Sequence, residues 1–214
     1  MHAFTFSLPT QIVFGPGTET ETGKLIAGQG GHRVLVVYGG QSAVRSGLIA
    51  KVQASLTQAG LEQDTFGGIH PNPRLFQVRE GVEKAKAMNA DFILAVGGGS
   101  VIDASKAIAL GVANPEADLW DFWLRKQPVE RTLPVGTVLT ISAAGSETSD
   151  SAVLTRDDTL EKRGLSSQLF QYFSSQLIGL RQILRITAGT YPTERTVTIV
   201  KEHWAHDIFY IRWP

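Results

Sequence analysis

Asp91-Phe92-Ile93-Leu94-Ala95-Val96-Gly97-Gly98-Gly99-Ser100-Val101-Ile102-Asp103-Ala104-Ser105-Lys106-Ala107 is the stretch from which the fold of this chain can be read. Phe92 to Val96 is apolar with no polar alternation, which predicts a strand covered on both faces, as in a parallel sheet. Gly97, Gly98 and Gly99 follow at once, and a helix then begins. Ser100 is a good N-cap residue, and Asp103 three positions on completes a Ser-x-x-Asp capping-box pattern. Ala104, Ala107, Ile108 and Leu110 continue a helix whose small residues suit close packing on a sheet.

A strand, a glycine turn and a helix N-terminus together make an anion site. Glycine removes the Cβ atoms that would keep a phosphate from the backbone, and the free amides and positive dipole end of the helix face that phosphate. The spacing is not the G-x-G-x-x-G of the ordinary dinucleotide fingerprint. A tight strand–helix connection that binds nothing is the plainer alternative.

The chain of 214 residues carries 20 Lys+Arg against 20 Asp+Glu, and no cysteine. That excludes disulfides and thiolate metal sites. The charge balance, with no basic tract, argues against nucleic acid as a partner. No apolar run approaches the roughly 20 residues needed to cross a bilayer, and Met1-His2-Ala3-Phe4-Thr5 lacks the pattern of a signal peptide. A cytoplasmic α/β protein with no membrane partner is the expectation.

Residues 3–7 and 11–14 suggest two short strands before Gly15-Pro16-Gly17, able to pair within the chain or across a homodimer. Thr18 to Ala27 predicts a short helix. Val34 to Tyr38 is a second buried strand, running into Gly39-Gly40-Gln41-Ser42 and a helix at about 47–59 with Gly60 as its C-cap. A third strand at 63–66, a rigid loop at 67–74 with its glycines and prolines, and a helix at 75–88 lead into the opening stretch. Beyond it, the aromatic run Leu119-Trp120-Asp121-Phe122-Trp123 is expected over the sheet edge. Residues 133–141 predict a further strand ending in Ser142-Ala143-Ala144-Gly145-Ser146-Glu147-Thr148-Ser149, and a hairpin is expected around Asp157-Asp158.

Strands alternating with helices predict an α/β fold, a Rossmann-like, doubly wound, mainly parallel sheet. Ligands of such sheets sit beyond the C-terminal strand ends. Three of those ends carry Gly39–Ser42, Gly97–Ser100 and Thr140–Ser146, which should converge on one crevice.

Tyr38-Gly-Gly-Gln-Ser42, His70-Pro-Asn-Pro-Arg74, Gly97-Gly-Gly-Ser-Val-Ile-Asp103 and Thr140-Ile-Ser-Ala-Ala-Gly-Ser-Glu147 resemble the iron-containing (group III) alcohol dehydrogenases, with the NADPH-dependent butanol dehydrogenases and aldehyde reductases as the branch most alike. The resemblance spans residues 1 to about 170, read as a dinucleotide-binding domain, with 171–214 a divergent or truncated tail in place of the family's helical domain. It implies NADP(H)-linked interconversion of alcohols and aldehydes, a divalent metal (iron or zinc), a small-molecule alcohol or aldehyde as partner, and a homodimer.

Carried over, Gly97, Gly98 and Gly99 would cradle the cofactor pyrophosphate, Ser100 and Asp103 would hold the helix start and approach the cofactor, and Asn72 would line its groove. Thr137, Thr140 and Ser146 would border the adenine and nicotinamide ends. Gly39, Gly40 and Ser42 stand where an acidic residue would hold a ribose 2′-hydroxyl and repel a 2′-phosphate, with Arg45 nearby, which points to NADP over NAD.

The tail departs from the family. Its metal ligands begin with an Asp-x-x-x-His pair, and none occurs in this sequence. His203, His206 and Asp207 form a weaker candidate cluster. A non-catalytic nucleotide-binding module is therefore the second reading, and a polyol dehydrogenase or dehydroquinate-synthase relative, expected to use NAD and zinc, a third.

Overall fold

The computed structural model describes residues 10–141, 145–172, 174–178, 184–191, 194–201 and 208–212. Its centre is a parallel sheet of six strands: β1 (Gln11–Phe14), β2 (Arg33–Tyr38), β3 (Glu62–Phe66), β4 (Phe92–Gly97), β5 (Val135–Leu139) and β8 (Ser174–Ile178). Their order is β1-β8-β5-β4-β2-β3, and every neighbouring pair runs parallel.

Alternation along the strands divides the core in two. Leu35, Val37, Ile93, Ala95, Val135 and Leu139 face one layer, made by α4 (Leu75–Ala87), α5 (Gly99–Ala113) and α6 (Leu119–Trp123). Val34, Val36, Leu94, Val96 and Val138 face the other, made by α1 (Thr22–Gly28), α2 (Gln41–Arg45) and α3 (Leu48–Gln58). Both faces are thus dry over β2 and β4, which is why Val34–Val37 and Phe92–Val96 are apolar throughout, as the doubly wound reading requires, whereas the edge strand β3 is polar. Phe92 to Val96 are buried without exception.

Helix boundaries follow local chemistry. The expected helix at 18–27 is a 3-10 turn (Thr18–Glu21) leading into α1. The one expected at 47–59 is α3 alone, with α2 set off before Gly47, whose φ of +75° breaks the run. Gly60 ends α3 at φ +73°, with the Leu61 amide on the Leu56 carbonyl and the Gly60 amide on that of Thr57, a Schellman motif. The loop at 67–74 holds no helix.

The hairpin forms as expected, β6 (Ser151–Thr155) antiparallel to β7 (Lys162–Ser166). The aromatic run behaves differently: Trp120, Phe122 and Trp123 are buried against α5 and β7 rather than over the sheet edge. Trp123 Nε1 donates to the Ala152 carbonyl at 3.2 Å, a partner it finds only on the hairpin side. After α7 (Leu169–Tyr172) and β8, the strands β9 (Leu184–Tyr191), β10 (Glu194–Lys201) and β11 (Ile208–Arg212) form a separate antiparallel sheet. The strand expected at residues 3–7 lies outside the described residues. Among those described, no helix is long and apolar enough to cross a membrane.

Candidate functional site

From β2 the chain runs outward to β3, then returns across β2 to β4, so the strand order reverses between β2 and β4. At that reversal the following helices depart on opposite faces and leave a crevice between the strand ends. Linkers 39–42 and 97–100 are its two sides.

The linkers touch. Thr140 N donates to the Gly97 carbonyl at 3.0 Å. Ile141 stands over Gly98, and Ser146 beside Gly99, at 3.9 and 3.8 Å from where a Cβ on each glycine would lie. Gly39 lies against Val101, and its carbonyl accepts from Gly68 N at 3.0 Å. Gly39, Gly40, Ser42, Gly97, Gly98, Gly99, Ser100, Thr140 and Ser146 therefore gather on one rim.

Asn72 joins them from the 67–74 loop. Its amide donates to Ser100 Oγ at 3.3 Å, and its Oδ1 accepts from Lys162 Nζ at 2.7 Å. Asn72 sits at φ +54°, a region that Asn tolerates better than most residues. Gln77, buried on α4, fixes the loop by donating from Nε2 to the Gly68 carbonyl and accepting the His70 amide on Oε1.

The three glycines of the turn have different reasons to be there. A Cβ at Gly97 would lie 2.5 Å from Val101 Cγ2, so Gly97 is demanded by packing. At Gly98 it would meet nothing nearer than 3.9 Å, and at Gly40 nothing within 4 Å. Those two glycines leave open ground that a phosphate can occupy. Gly98, not Ser100, is the N-cap of α5, and no side chain caps that end.

The capping box is thereby corrected. Ser100 is the second residue of the helix, where its hydroxyl meets Asn72 instead of a helix amide. Asp103 turns away from the helix start: Oδ1 accepts from Ser146 Oγ and Oδ2 from Val153 N at 3.1 Å. Burial raises its pKa, opposed by those two hydrogen bonds and by the charges of Lys106 and Lys162. Thr137 departs too. It lies within β5 at 1% exposure, between Val135 and Leu139 on the α5 side, so it is inside the sheet and not on the open rim.

Lys106, Lys162 and Gln77 went unread in the sequence. For Lys106 a signal existed, since a lysine shares the helix face of Ile102, Ala109 and Leu110. Lys162 and Gln77 had none, because only the fold brings them beside Asn72 and Gly68.

A family profile described as "Iron-containing alcohol dehydrogenase" matches residues 9–173. The chain belongs to the iron-containing alcohol dehydrogenase family. It is 46% identical over 175 residues to the probable NADH-dependent butanol dehydrogenase 1 of Bacillus subtilis, covering 81% of this chain and 45% of that protein. It is 36% identical over 169 residues to the NADPH-dependent aldehyde reductase YqhD of Escherichia coli, covering 78% and 43%. The crystal structure of NADH-dependent butanol dehydrogenase A from Thermotoga maritima superposes with a TM-score of 0.78 at 42% identity, over 83% of this chain and 44% of that one. The chain thus spans less than half the length of these relatives.

The open ground at Gly40 and Gly98 and the uncapped start of α5 suit a dinucleotide. A metal finds no such match: among the described residues no three His, Asp or Glu side chains gather as a ligand set. His203, His206 and Asp207 lie outside the described residues.

Proposed function

We propose that this chain binds a nicotinamide dinucleotide across the β2–β4 crevice, as the cofactor domain of an alcohol–aldehyde oxidoreductase. The observation that carries the reading is the fifteen-residue α5, whose N-terminal end has no side-chain cap and opens beside Gly98. Its amides and dipole favour the pyrophosphate. When bound, the cofactor supplies the hydride chemistry. This chain's residues hold and orient it: Asn72 and Ser100 on one wall, Thr140 and Ser146 on the other.

NADP(H) is the preferred form in this reading. Gly39 and Gly40 leave room for a 2′-phosphate, Ser42 can donate to it, Arg45 carries the opposite charge, and no carboxylate stands in residues 39–45 to repel it. The relatives at 46% and 42% identity are named for NADH and the one at 36% for NADPH, so the preference rests on the residues at 39–45 alone. NADPH and NADH are titrated side by side by nucleotide fluorescence, with wild type and Ser42→Asp. NADPH should bind more tightly to wild type, and the substitution should reverse the order. Tighter NADH binding by wild type removes the preference, and no binding of either removes the reading.

The absence of Asp-x-x-x-His from the sequence favours a second reading, in which the chain binds the dinucleotide without turnover. Rates of NADPH oxidation with a short aldehyde, with and without added iron or zinc, separate the two. The substrate proposed is a small alcohol or aldehyde, and the assembly proposed is a homodimer.

A further inference from the structure

Lys106 is a charged side chain in the interior, 1% exposed. Its Nζ donates to three carbonyls, those of Ser146 (2.7 Å), Ser149 (2.8 Å) and Ser151 (2.9 Å). Those three hydrogen bonds use all the donors of an ammonium. One turn earlier on the same helix, Asp103 accepts from Ser146 Oγ and from Val153 N. Together the two residues fasten the chain at 146, 149, 151 and 153 to one face of α5. Ser146 in turn stands beside Gly99, at the start of that helix.

We propose that Lys106 is a positioning residue: its ammonium staples the 146–151 segment to α5 and so sets the wall of the crevice against the amides that take the cofactor's phosphates. The inference rests on the dinucleotide reading above. A methionine fills the same space but takes one donor from each of three part-buried carbonyls, leaving that of Ser146 the Ser149 amide at 3.3 Å. An arginine offers a planar fork where a compact, three-pronged donor is needed.

The staple has a pH limit. Burial lowers the Lys106 pKa from 10.5 to about 8, against the opposing charges of Asp103 on its own helix and Glu147 and Asp150 on the stapled segment. The Phe170 ring faces Nζ at 6.0 Å from α7, and Lys162 on β7 acts on Asp103. Deprotonated, the amine is relieved of its burial penalty but has two hydrogens for three carbonyls, so the segment stays closed and its hydrogen bonding to α5 is rearranged as pH rises through about 8.

The test uses the full chain. Amide hydrogen exchange over residues 145–153, corrected for intrinsic rates, is measured without nucleotide in wild type and Lys106→Met. NADPH dissociation constants are measured for both from pH 6.5 to 9.5. The expected result is lost protection in the variant, NADPH binding at least tenfold weaker, a wild-type affinity that declines with a midpoint near pH 8, and a flat profile for the variant. Should Lys106→Met fail to fold, the wild-type pH profile of affinity decides alone. Unchanged protection in the variant, or a flat wild-type profile, overturns the staple. Protection that behaves as expected in a chain that binds no nucleotide keeps the staple and removes the dinucleotide reading.

Discussion

Linkers 39–42 and 97–100 begin alike and end differently. Each leaves a buried parallel strand and turns on an N-cap glycine of nearly the same conformation, Gly40 at φ −76°, ψ −170° and Gly98 at φ −96°, ψ −168°. Gly40 opens a helix of five residues and Gly98 one of fifteen. A single turn of helix concentrates little dipole and is costly to nucleate, whereas four turns packed on a sheet present a fixed positive end. In the proposed reading the same backbone turn therefore serves as the anion site at α5 and only as a roomy approach at α2. The crevice is polarised by helix length, not by its glycines.

Gly97→Ala should break the longer linker hardest. The new methyl meets Val101 at 2.5 Å, a collision between the strand end and the first turn of α5. A stability loss of about 3 kcal/mol or more is expected in denaturant unfolding. A loss below about 1 kcal/mol would show that Gly97 is not held by packing.

Lys106 gives the next effect, and its sign can be worked out. Because its folded pKa is lowered from 10.5 to about 8, the unfolded chain binds more protons than the folded one between those values. The group's contribution to stability therefore rises with pH across that window and is lost as pH falls through about 8. The stability of wild type minus that of Lys106→Met should climb by up to about 3 kcal/mol, while NADPH affinity falls. If both moved in the same direction, the affinity change would be a consequence of unfolding and the staple would lose its support.

Gly98→Ala should leave folding nearly untouched, since no atom lies within 3.9 Å of the added carbon, yet weaken NADPH about tenfold by filling the phosphate's place. Equal affinity would move the pyrophosphate elsewhere. Gly40→Ala is the mildest: with open space around it and an ordinary φ, it should alter stability by under about 0.5 kcal/mol and NADPH affinity by less than about threefold. A larger loss at Gly40 than at Gly98 would invert the comparison.

The parallel sheet was legible because Val34–Tyr38 and Phe92–Val96 are apolar on both faces, a pattern that only a doubly covered strand needs. Gly60 was legible for a similar reason, since a left-handed residue ends a helix at its lowest cost as glycine. Asp103 was misread. Its spacing from Ser100 is that of a capping box, but the N-cap position falls on Gly98, two residues earlier, and the carboxylate reaches Ser146 and Val153 instead. The burial of Thr137 was not legible, because a threonine in a strand looks the same facing a helix as facing a cleft.

By itself the sequence determined the layer order, the glycine turns and the place where the strand ends would meet, because periodicity and backbone freedom are local properties written residue by residue. Only the tertiary structure decided that Lys106 lies inside with its charge on three carbonyls, that Lys162 reaches Asn72 across 90 residues, and that Gly97 is a packing glycine while Gly98 stands open. Those assignments depend on which distant segments share a surface, and no local pattern encodes that.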